Sequence, residues 1–186
     1  MRRLALAPAV FALMTGPVFA DDVTETLESA IQAYEEGDIQ YALEEIAYAR
    51  QLLQAMRTES LASFLPEAPE GWTRETGDDI SAGLAMMGGG TGAEATYIGE
   101  GENFTLTIVA NSPMVSAMAG LFSNTALLGS AGRMIRVGRQ KFLEQDGELS
   151  TVVDNRILIQ ASGAQTDTML PILERIDYEG LEDFGS

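Results

Sequence analysis

A change of hydrophobic period along the chain predicts an α+β fold: an N-terminal α-helical hairpin joined to an antiparallel β-sheet domain covered by helices. Three observations carry this expectation. Apolar residues recur at helical spacing through residues 23–61. Short apolar runs bounded by turn residues take over from Ala93. Helical spacing then returns after Ser112-Pro113 and again after Thr166-Asp167.

In the hairpin, Val23, Leu27, Ala30, Ile31 and Tyr34 share one helical face, and Gly37-Asp38 interrupts it. Ile39, Ala42, Leu43, Ile46, Ala49 and Leu53 repeat the pattern as a second helix. Leu65-Pro66-Glu67-Ala68-Pro69-Glu70-Gly71 reads as a semi-rigid connector. Trp72, the only tryptophan, is expected to be the first packing anchor of the unit that follows. Ala93 to Ile98 and Phe104 to Ala110 are the first predicted strands, joined by a Gly-Glu-Gly-Glu turn.

Ser112 is expected to cap a helix with Pro113 in its first turn, carrying Met114, Ala117, Met118, Leu121, Phe122, Thr125 and Leu128 on one face. Met134 to Val137 and Gln140 to Leu143 read as two strands around Gly138. Leu149 to Val153 and Arg156 to Ala161 read as a hairpin around Asp154-Asn155. Thr166-Asp167 is expected to cap a last short helix with Met169, Leu170, Ile172, Leu173 and Ile176. The resulting organisation is residues 1–20 as a cleavable leader, 21–62 as hairpin, 63–71 as linker, 72–180 as the α+β domain and 181–186 as an acidic tail.

The leader reading rests on Arg2-Arg3, the apolar run Leu4 to Met14, the breakers Gly16-Pro17, and Val18-Phe19-Ala20 as a small-x-small cleavage site. The run is too short to span a bilayer. Cleavage is expected after Ala20, with export to a bacterial periplasm and no stable membrane insertion afterwards.

The full chain has 186 residues and a formal net charge of −17. Without the two arginines of the leader, nine cations face 28 acids, a net charge of −19. Such a balance argues against nucleic acid as a partner, because phosphate neutralisation needs clustered cations. The chain has no cysteine and no histidine. That removes disulfides, thiolate and imidazole catalysis, and nearly all transition-metal sites. No catalytic motif is present, no cofactor is expected, and the chain reads as non-enzymatic.

Gly37-Asp38, Ala42-Leu43, Ile46 and Ala49, within EEGDIQYALEEIAYA, resemble the centre of a tetratricopeptide repeat. The resemblance covers one hairpin, residues 23–61, and Gln54 stands where that motif has its terminal proline. Arrays of such repeats need about three units, so a single hairpin must lean on something else. From Leu65-Pro66 and Gly71-Trp72 to the closing helix, the element order resembles exported PsbP-like and Mog1-like α+β domains; this resemblance carries no functional residues.

Gly88-Gly89-Gly90-Thr91-Gly92-Ala93 contains a Gly-x-Gly-x-x-Ala pattern, but a dinucleotide site needs a strand before it and a helix after it. Here a strand follows, so the stretch reads as a connector. The thioethers of Met86, Met87, Met114 and Met118 are soft ligands that would suit Cu(I), and methionine at such spacing is also adaptable packing material. The carboxylates form neither a calcium loop nor a glycosidase pair and read as a solvated face. Arg133, Arg136, Arg139 and Lys141 gather four cations, with Arg133 and Arg136 on opposite strand faces.

These residues predict an accessory module that binds a protein partner in the cell envelope. Tyr34, Tyr41 and Tyr48 on the hairpin and Arg136 and Arg139 on the basic strand are the candidate partner contacts. The rival expectation is a small-ligand module, binding copper through methionines or an anion through the basic strand.

Overall fold

The structure is a computed structural model that describes residues 18–77, 79–86, 88–123 and 131–185. Residues 1–17 of the expected leader, together with Met87, Thr125 and Leu128, lie outside the described residues. The fold is α+β, with two N-terminal helices followed by an antiparallel sheet with helices. The chain divides into two units, residues 1–53 and 54–186.

In the first unit, α1 (Val18–Glu36) and the start of α2 (Ile39–Ala62) form the expected hairpin. The reversal is built by Gly37, whose φ of 86° is open to glycine without strain. Its N–H donates to the Tyr34 carbonyl, and the Asp38 N–H donates to that of Ala33. The Asp38 carboxylate then accepts from the Tyr41 N–H at 3.1 Å, capping the first turn of α2.

The second unit holds a seven-stranded antiparallel sheet. Its strands are β1 (Thr73–Gly77), β2 (Thr91–Ile98), β3 (Asn103–Ala110), β4 (Arg133–Val137), β5 (Gln140–Gln145), β6 (Glu148–Val153) and β7 (Ile157–Ser162), in spatial order β1-β2-β3-β7-β6-β5-β4. One meander runs from the β1 edge inwards to β3. The chain then crosses to the far edge and returns through β4 to β7, which zips onto β3 with Ile108 opposite Ile159. β1 and α3 (Asp79–Met86) were not anticipated, because β1 is a short, largely exposed polar edge strand and α3 carries glycine in its middle.

Strand alternation sends Tyr97, Phe104, Leu106, Ile108, Ile157 and Ile159 to one face. Leu61 at the end of α2, Leu65, helix α5 (Thr166–Leu173) and Leu181 of α6 (Tyr178–Asp183) cover that face as the main core. On the opposite face Val109 and Leu158 pack with Leu84 of α3 and Val115 of α4 (Pro113–Phe122) in a smaller cluster. Ser112 accepts from the Met114 N–H, so the expected cap of α4 is present. Asp154 and Asn155 both take positive φ, as the expected two-residue turn requires.

Three expectations need correction. The Leu65 to Gly71 stretch is more than a connector: Leu65 is buried, and Arg74 donates to the carbonyls of Leu65 and Pro66 while the Tyr97 hydroxyl donates to that of Pro66 at 2.6 Å. Thr166 does not cap α5. Gln165 holds that position, and the Thr166 hydroxyl donates instead to Glu144. Residues 181–184 are no free acidic tail: Leu181 and Phe184 are buried, and the Arg156 guanidinium donates to the carbonyls of Glu182 and Phe184.

Trp72 anchors this unit as expected. Its indole meets Phe104 edge-on at 5.9 Å, and Phe104 stacks on Tyr97 at 5.0 Å. A Cβ at Gly99 would lie 2.5 Å from the Trp72 indole, a rigid ring that cannot yield like a flexible side chain. Gly99→Ala is therefore expected to destabilise the second unit by about 1–3 kcal/mol. Urea unfolding followed by the fluorescence of the single tryptophan measures it, and an unchanged midpoint would mean that the indole has room to move.

Candidate functional site

The hairpin reverses the usual order of burial. Periodicity alone sets large and small apolar residues on one stripe, but the buried side chains are small: Ala30, Ala33, Ala42 and Ala49, with Val23 and Thr26. The large ones face solvent, from Leu27 at 41% exposure to Ile31 at 59% and Tyr34 at 68% on α1. On α2, Ile39, Leu43, Ile46 and Leu53 are all about half exposed. Nine of the twelve exposed large hydrophobic side chains among the described residues stand on these two helices, and six of the nine line one groove.

The patch has a shape. Leu27, Ala30, Ile31 and Tyr34 of α1 and Ile39, Ala42, Leu43 and Ile46 of α2 line an apolar groove of about 470 Å³. Its two ridges, Leu27-Ile31-Tyr34 and Ile39-Leu43-Ile46, follow the spacing by which successive turns of a helix stack. Burying the exposed half of a Leu or Ile side chain is worth about 1 kcal/mol. Six large side chains around the groove thus represent on the order of 6 kcal/mol that the hairpin leaves unrealised.

The sequence-predicted residues are only partly brought together. Tyr34 lines the groove, while Tyr41 and Tyr48 do not; both are exposed elsewhere on α2, and Ser29 donates to the Tyr41 hydroxyl at 3.4 Å. Arg136 on edge strand β4 stands directly opposite Lys141 on β5. Both are exposed, and neither has an ion pair among the described residues. Arg139 reaches Glu179 at 3.5 Å, with both side chains about nine-tenths exposed, an interaction worth about 0–1 kcal/mol. Arg133 takes the other face, as alternation requires, and pairs with Glu144 at 2.6 Å.

Met114 and Met118 pack against the smaller core cluster, whereas Met86 is 91% exposed. The Gly88 to Gly90 stretch turns the end of α3 into β2, as a connector would. The residues that periodicity could not single out are Leu27, Ile31, Ile39, Leu43 and Ile46. Spacing shows that they share a face with the alanines, but not which of the two sets is left outside.

Electrostatics elsewhere follow structural contacts. The Arg133 guanidinium, and after it the Thr166 hydroxyl, hold the Glu144 carboxyl below the usual range. Burial pushes the Tyr97 hydroxyl up to about 12 against the opposing charge of Arg74, and burial raises Tyr178 as well. Both tyrosines therefore stay protonated and serve as donors, to the carbonyls of Pro66 and Leu173. No group of three or more carboxylates among the described residues is arranged to hold a metal ion. Comparison of the chain with family models, curated proteins and solved structures finds no match.

Because its side chain adds little to the free fold, Ile31→Ser is expected to change stability by no more than about 0.5 kcal/mol. Ala49→Leu, at a position only 1% exposed, is expected to cost about 1–3 kcal/mol. Helical melting by circular dichroism compares the two; the reverse ranking would show the exposed stripe to be part of the folded core.

Proposed function

We propose that this chain is an exported, non-enzymatic accessory protein that holds a protein partner of the cell envelope in the groove of its helical hairpin. The observation that carries the reading is the reversed burial of α1 and α2: alanines inside and Leu, Ile and Tyr outside. Soluble monomers rarely leave a contiguous apolar surface of this kind unless something covers it. The Arg2-Arg3 start and apolar run of residues 4–14 support export, and the absence of histidine and cysteine supports a binding role over catalysis. The α+β unit acts in this reading as the scaffold that carries α2.

Site-specific photo-cross-linking in the native host tests the proposal. A cross-linker replacing Ile31 or Leu43 is expected to trap a discrete adduct, and one replacing Glu148 on the sheet is expected to trap none. Ile31→Glu with Leu43→Glu should abolish the adduct formed from a probe at Tyr34. Uniform absence of adducts from the hairpin positions, with a monodisperse monomeric chain, contradicts the reading.

A further inference from the structure

We infer that the occupant of the groove is a single amphipathic α-helix whose apolar face is flanked by Lys and Arg. This rests on the reading of the groove as a protein-docking site and adds the chemistry of what docks there.

The helical form follows from hydrogen bonding. The eight residues around the groove are Leu, Ala, Ile and Tyr, and the backbone beneath them is already committed to the internal bonds of α1 and α2. An extended segment laid there would leave its own N–H and C=O groups facing side chains of which only the Tyr34 hydroxyl can answer, whereas a helix satisfies its backbone internally. Spacing agrees. The ridges Leu27-Ile31-Tyr34 and Ile39-Leu43-Ile46 run at i, i+4 and i+7, the rows between which the side chains of a third helix interdigitate. Each ridge is about 10 Å long, so about two turns of helix fill it.

The flanking charge follows from the composition of the hairpin. Residues 21–53 hold nine carboxylates against one cation, Arg50, a net charge of −8. Glu28 and Glu35 fall three residues before and four after Ile31, so they border the α1 ridge. Neither is in an ion pair among the described residues. Gln40 and Ala47, three before and four after Leu43, border the α2 ridge and carry no charge to offset them. A second copy of this hairpin would bring its own net charge of −8 against this one, and an anionic membrane surface would be repelled in the same way. A basic-flanked helix meets both the apolar floor and the acidic rim.

The test uses the full chain and two labelled peptides of about 14 residues with the same Leu/Ile face, one flanked by lysine and the other by glutamate. Fluorescence anisotropy is expected to show the lysine peptide binding about 10-fold or more tightly than the glutamate peptide. The difference should shrink when salt rises from about 50 to about 500 mM. Glu28→Lys with Glu35→Lys should weaken the lysine peptide and strengthen the glutamate peptide. Ile31→Glu with Leu43→Glu should remove binding of the lysine peptide, with an unchanged helical melt showing that the variant is folded.

Equal binding of the two peptides, or preference for the glutamate one, overturns the charge assignment. Failure of both peptides while hairpin cross-links to a partner persist overturns the occupant and leaves the docking reading standing. Concentration-dependent dimerisation lost in Ile31→Glu with Leu43→Glu replaces the proposed occupant with a second copy. Loss of both peptide binding and cross-links removes the docking reading itself.

Discussion

The pairing of β3 with β7 is the contact on which the second unit depends. It joins two meanders that are separated in sequence by a crossover, and it puts Ile108 against Ile159 and Leu106 against Ala161 at the centre of the sheet. Once that seam is closed, each sheet face needs a cover. The chain uses its late helices, α5 and α6, on the large apolar face and α3 and α4 on the small one. Arg156 then fixes the last turn by donating to the carbonyls of Glu182 and Phe184, which makes the C-terminal residues part of the core cover.

The hairpin is governed by a different constraint. Its buried stripe is mostly alanine, and alanine contributes little burial free energy, so the most apolar side chains of α1 and α2 do not serve the hairpin itself. In the second unit the same residue types are almost wholly withdrawn from water: Leu106, Ile108 and Ile159 are each fully buried. This contrast within one chain sets the exposed apolar surface of the hairpin apart from a general lack of core. The strong negative charge of residues 21–53 also sets like charge against a second copy.

What was legible in the sequence was local. Gly37-Asp38, Asp154-Asn155 and Ser112-Pro113 announce their turns and cap through backbone conformation and side-chain bonding within a few residues, and all three occur where expected. Elements held by distant partners were harder to see. Thr73–Gly77 is polar and largely exposed, and only its ladder with β2 makes it a strand. Thr166 has the composition of a cap, yet its hydroxyl is taken by Glu144 from across the fold. The groove escaped for a related reason: spacing places Ile31 beside Ala30 and Leu43 beside Ala42, and which member of each pair is buried is decided by how the two helices meet.

The central claim is that α1 and the first half of α2 form an incomplete core that a partner completes. Amide hydrogen exchange tests it most directly, resolving the hairpin and the central strands in one experiment. The account predicts that, in the chain alone, amides of residues 24–36 exchange far faster than those of β3 and β7, and that a bound basic amphipathic helix slows the former while leaving the latter unchanged. Hairpin amides already as protected as β3 and β7 in the free chain would contradict it.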